Sequence, residues 1–140
     1  MPIARTWSGA TRVADADRYL EYLGRTGLRD LAGTPGNEGV LALRRVEGDR
    51  AEFTVVSLWR DERVVECFSG VPIDRAVFYP EDADYLVERD ETVRHHEVLV
   101  VGPTVARRGA LGRLLARMFD WWASWARRAI PAPGTRDRRA

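Results

Sequence analysis

Residues 39–46 and 51–59 are two β-rich runs separated only by Glu47-Gly48-Asp49-Arg50. Glycine and aspartate supply the turn conformations that bulkier residues resist, so the two runs are expected to close as an antiparallel hairpin. Side chains alternate across a strand, which puts Phe53, Val55, Ser57 and Trp59 on one face of the second run and Thr54, Val56 and Leu58 on the other. Apolar residues on both sides mean that both faces of the resulting sheet need cover.

The rest of the chain supplies that cover. Residues 3–8 alternate apolar and polar as far as Gly9, with Ile3, Arg5 and Trp7 sharing a face, and read as a first strand. Asp15 and Asp17 suit a helix N-terminus, and Tyr19, Leu20, Leu23, Leu28 and Leu31 recur at helical spacing, which predicts a helix over about residues 14–31 with a weak point between Gly24 and Gly27. Thr34-Pro35-Gly36-Asn37 is a turn leading into the hairpin. Asp61 is placed to cap a second helix over residues 62–68, closed by Ser69-Gly70. Pro72 and Pro80 bracket a looser stretch whose acidic, aromatic tip spans residues 79–85, and residues 93–101 read as a fourth strand. The order β-α-β-β-α-β predicts an α+β, ferredoxin-like antiparallel sheet with both helices on one face. Its open face is expected to pack on that of a second copy, giving a homodimer built as a dimeric α/β barrel.

Beyond this unit, placed at residues 1–102, residues 103–130 have a strong helical period. Leu111, Leu114, Leu115, Met118, Phe119, Trp121, Trp122 and Trp125 fall on one arc and arginines on the other. A C-terminal amphipathic helix is predicted, followed by a disordered basic tail over residues 131–140. The helix face suits packing on the core or a partner, or weak membrane-surface contact through residues 107–128. Its aromatics and arginines are segregated rather than interleaved, which argues against nucleic acid.

Charge is nearly balanced, with 22 basic against 21 acidic residues. Every basic residue is arginine, the mark of a compositional bias rather than of phosphate binding. Cys67 is the single cysteine, which excludes an intramolecular disulfide and a cysteine-rich metal site, and it is expected as a buried, inert thiol on the second helix. The N-terminus shows no basic region followed by an apolar run, and no stretch approaches the roughly 20 apolar residues of a membrane span. The cytoplasm is the expected compartment.

Several short segments, taken in order, are familiar. Ile3-Ala4-Arg5-Thr6-Trp7, Thr34-Pro35-Gly36-Asn37, Val55-Val56-Ser57-Leu58-Trp59, Phe68-Ser69-Gly70 and Val93-Arg94-His95-His96-Glu97-Val98 together resemble the antibiotic biosynthesis monooxygenase family over about residues 1–101. The resemblance implies a homodimeric ferredoxin-like barrel. It also implies one of several activities, among them oxidation of aromatic polyketides by molecular oxygen with neither metal nor flavin, and haem degradation. Trp59 matches the tryptophan that the oxygenase members carry at the end of the third strand. A haem-degrading member would need an asparagine in the first strand and a histidine in the second helix, but this chain has Arg5, Thr6 and Trp7 there and no histidine from Arg60 to Gly70.

A cofactor-free oxygenase needs a substrate that can be deprotonated, an apolar pocket and donors that stabilise the developing negative charge. On that reading His95 is the candidate base and Trp59 the second catalytic candidate. Trp7, Phe53, Tyr79 and Tyr85 would line or cap the pocket, and Arg5 or Arg44 would stabilise an enolate of an aromatic, apolar or quinol-like ligand. His95 and His96 are strand neighbours that point to opposite faces, so only one can reach the pocket. Glu81, Asp82 and Asp84 are expected to form a solvated loop and not a cation site. The alternative to catalysis is a non-catalytic dimeric module that binds a small apolar ligand or docks on a partner or membrane.

Overall fold

A computed structural model describes residues 2–99. Strand β1 (Ile3–Arg12) is followed by helices α1 (Ala16–Arg25) and α2 (Gly27–Gly33), the hairpin strands β2 (Asn37–Glu47) and β3 (Arg50–Trp59), helix α3 (Glu62–Ser69), a single turn α4 (Asp82–Tyr85) and strands β4 (Leu86–Arg89) and β5 (Arg94–Glu97). The sheet is antiparallel in the order β2-β3-β1-β4, with β5 also on β1. This is the ferredoxin-like α+β arrangement that the order of elements predicts. The expected helix at residues 103–130 and tail at residues 131–140 lie outside the described residues.

Three elements differ from expectation. Strand β1 continues past Gly9 to Arg12, because Gly9 pairs with Phe53 and Arg89 on either side and its missing side chain is filled by the Trp7 indole. The first helix breaks at Thr26, whose φ of −118° and ψ of −96° interrupt it between the two glycines. The fourth strand is split. β5 pairs with Ile3–Thr6 of β1 and β4 with Gly9–Thr11, so residues 90–93 leave the ladder opposite Trp7 and Ser8.

Of the two β3 faces, the helices cover the one with Phe53 and Trp59: Ala51, Phe53, Val55, Ser57 and Trp59 are all buried, against Tyr19, Tyr22 and Leu23 of α1, Leu31 of α2 and Val65 of α3. Asp61 caps α3 by accepting from the Val64 backbone N–H. The other face carries Leu41 and Leu43, exposed at 55% and 51%, beside the half-buried Val56 and Leu58. Cys67 corrects one expectation: it sits on the outer side of α3 and is exposed.

Trp59 is wholly buried, and its indole N–H donates to Ser57 Oγ at 2.8 Å within the core. Trp59→Phe and Ser57→Ala should each cost about 1–2 kcal/mol, with a coupling of about 1 kcal/mol in a double-mutant cycle followed by urea unfolding. Additive losses would mean that the bond contributes nothing to the fold.

Candidate active site

A cavity opens between the helix-covered face of the sheet and the irregular segment of residues 71–81 that precedes α4. Arg5, Trp7 and Val55 form its floor, Leu23 and Leu31 one wall, Phe68 another, and Val77, Tyr79 and Asp82 its cover. The enclosed space is about 50 Å³, room for roughly three or four waters.

Arg5 dominates the floor. It lies in the middle of β1, is only 5% exposed, and has no carboxylate within ion-pair distance among the described residues. One guanidinium nitrogen donates to the Arg75 carbonyl at 2.7 Å, the carbon stands 5.5 Å over the Phe68 ring, and the buried Nε has no partner. Burial pushes its pKa down to about 10, so it stays cationic at neutral pH. A charge held this way is available to an anion.

Trp7 lies flat along its own strand over Gly9, and its indole N–H donates to the Asp90 carbonyl at 2.9 Å, in the gap of the split strand. The cover is sewn down at two points. Tyr79 O–H donates to Asp30 of α2 at 2.8 Å, and the Glu81 N–H donates to Tyr22 O–H of α1 at 2.9 Å. Burial and the Asp30 carboxylate raise the Tyr79 phenol well above its ordinary range.

Asp82 corrects the reading of a solvated loop. It is 5% exposed, faces the cavity, and accepts the Tyr79 backbone N–H on Oδ2 at 2.7 Å. Burial raises its pKa, opposed by that hydrogen bond and by the positive charge of Arg89. Glu81 and Asp84 remain exposed as expected.

Of the residues singled out from the sequence, Arg5, Trp7 and Tyr79 meet in the cavity. Trp59 sits beside it, with its ring 5.9 Å from that of Phe68. His95 is the cross-strand partner of Arg5 and shares its face, half-buried with Nε2 enclosed and unpartnered. Burial, then the Arg5 charge, lowers its pKa, which leaves it neutral at pH 7. His96 points to the opposite face near Thr6 Oγ1. Phe53 is core, edge-on to Tyr19 at 5.0 Å, and Tyr85 stacks obliquely on Tyr19 and Tyr22. Arg44 is exposed on the edge strand β2, outside the cavity lining, and bonds Asp17 at 2.7 Å. Sequence reasoning missed Asp82, Tyr19 and Phe68 as lining residues. Tyr19 and Phe68 carry only the signal of helix periodicity, and Asp82 is hidden in a run of exposed acids.

No family model and no curated protein matches the sequence. Solved structures do. Rv0793 from Mycobacterium tuberculosis superposes with a TM-score of 0.52 at 16% identity, over 74% of this chain and 100% of its own. The "putative antibiotic biosynthesis monooxygenase" from Bacillus cereus superposes at 0.53 and 14% identity, over 74% and 98%. The chain has their fold. At this identity the likeness extends to the ferredoxin-like architecture, which agrees with the family resemblance of the short segments, and the chemistry has to be argued from the cavity.

The Trp7–Gly9 contact gives a direct test of the floor. A Cβ on Gly9 would lie 2.5 Å from the indole Cη2, so Gly9→Ala should push the ring off its strand, break the bond to Asp90 and cost about 1–3 kcal/mol. Thermal unfolding and a shift in tryptophan emission check it; an unchanged melting temperature would show that the ring moves freely.

Proposed function

We propose that the chain is a cofactor-independent monooxygenase that acts on a small aromatic or quinol-like molecule at the Arg5 cavity. The observation that carries this reading is a buried guanidinium with no carboxylate in ion-pair distance among the described residues, in a cavity lined by Trp7, Tyr19, Phe68 and Tyr79. A substrate with an acidic C–H or O–H loses a proton, and the resulting enolate or phenolate is stabilised by the Arg5 charge. The electron-rich anion then reduces dioxygen. For an activated methylene, one oxygen atom ends as the new carbonyl and the other leaves as water with the two methylene hydrogens. His95, the cross-strand partner of Arg5, lies outside the cavity lining, and Trp59 supports the wall through Phe68.

A second reading, a ligand-binding module without turnover, is favoured by one observation. An enclosed space of about 50 Å³ is far below the roughly 300–1,000 Å³ of sites that engulf a drug-sized ligand, so a ring system would have to extend through the mouth or displace the cover. Either reading includes a homodimer through the open face, supported by the exposed Leu41 and Leu43 there. Leu43→Glu should convert a particle of twice the chain mass to a single chain in light scattering, and a wild-type monomer at micromolar concentration would remove the dimer.

Oxygen uptake by metal-free protein over a panel of hydroquinones and anthrone-type substrates separates the two readings. Arg5→Met should lower uptake about 100-fold or more, and Arg5→Lys, which keeps a cation and a donor for the Arg75 carbonyl, should recover part of it. Uptake unaffected by Arg5→Met would sink the role of Arg5, and no uptake across the panel would leave the binding module.

A further inference from the structure

We infer that Asp82 is the proton acceptor of this cavity, removing a proton from a ligand C–H whose conjugated oxygen faces Arg5; this rests on the oxygenase reading of the same site. The geometry sets a buried cation and a buried carboxylate in the lining of one cavity. Arg5 belongs to the sheet floor and Asp82 to the cover, both are 5% exposed, and no ion pair joins them. Asp82 Oδ2 is taken by the Tyr79 N–H, and Oδ1 makes no hydrogen bond among the described residues. A ligand in the cavity therefore meets both an acceptor and a positive charge.

That is the arrangement enolisation requires. The proton passes from carbon to Asp82 Oδ1, the C–H electron pair moves into the π-system, and the negative charge settles on the oxygen nearest Arg5. The carboxylic acid so formed returns a proton to the carbanion, or gives it up as the oxidised product leaves.

His95 fits the role less well. It shares the Arg5 face but is absent from the cavity lining, and the charges that act on it are those of Arg5, Glu62, Asp74 and His96. The groups facing Asp82 are the Tyr79 N–H from the cover, Arg89 from β4 and the Tyr19 phenol from α1. Only the first is a direct hydrogen bond. Burial also holds the Asp82 carboxyl above the usual carboxylate range, toward the basicity that a general base needs.

Anaerobic deuterium exchange isolates this step from oxygen chemistry. With 2-indanone in D₂O, whose methylene protons are acidified by a ketone, the intact chain should exchange those protons faster than buffer. Asp82→Asn keeps an acceptor for the Tyr79 N–H, so the cover stays in place, and it should cut the protein-catalysed rate by about 100-fold or more while 2-indanone binding, followed by tryptophan fluorescence, changes less than threefold. An Asp82→Asn rate within threefold of wild type, a loss on His95→Asn instead, or no exchange by the wild-type chain would each overturn the assignment. Exchange without oxygen uptake in air would overturn the oxygenase reading and leave Asp82 in place. Oxygen uptake without exchange would do the reverse.

Discussion

The architecture around the cavity depends on the burial of one charge. Arg5 stands in the central part of β1, between β3 and β5, where a β-branched or aliphatic residue would normally complete the layer. Removing a guanidinium from water without a carboxylate costs several kcal/mol, and the fold offsets only part of that, with a backbone carbonyl and an aromatic face. The carbonyl comes from Arg75, at the start of the segment that covers the cavity. The same contact that keeps Arg5 tolerable therefore also anchors the cover, and charge and enclosure stand or fall together.

The split of the fourth strand belongs to the same design. A continuous strand beside β1 would use its backbone groups in the ladder and leave the Trp7 indole N–H without an acceptor in this half-buried place. Residues 90–93 instead turn away, Asp90 returns its carbonyl to Trp7 while its N–H holds the Ser8 carbonyl, and Val93 and Ala76 exchange bonds with Asp74 and Glu91 to tie the cover to the sheet. Gly9 makes the pairing possible by leaving the ring room to lie flat.

These relations explain how much could be read in the sequence. The hairpin, the order of elements and the division of β3 into two faces were legible because alternation and turn chemistry are local signals. Arg5, Trp7 and Tyr79 could be named because aromatics and a lone arginine on an apolar face are conspicuous. Asp82 could not, since its burial comes from the Tyr79–Asp30 and Glu81–Tyr22 bonds, which link positions 49 and 59 residues apart. Cys67 failed for a related reason: an eight-residue helix with a single well-buried position, Val65, leaves most of its apolar residues near solvent. The split strand was missed because its two halves are four residues each, short enough to pass for a loop and a single strand.

The titration of the three groups around the cavity has a consistent sense. The native pKa of Arg5 is depressed to about 10, so the unfolded chain binds that proton more tightly and the burial cost is fully present at every pH below that value. Asp82 is shifted upward, so the native state holds its proton more tightly and stability is lost as pH rises through its raised pKa. His95, shifted downward, opposes folding only when acid forces a charge on it, and at neutral pH that cost is absent. A fold selected for stability alone would remove the first two groups with an aliphatic residue and an amide. Keeping a cation and a carboxylate buried in the lining of one cavity is what a site that moves a proton toward a stabilised anion requires.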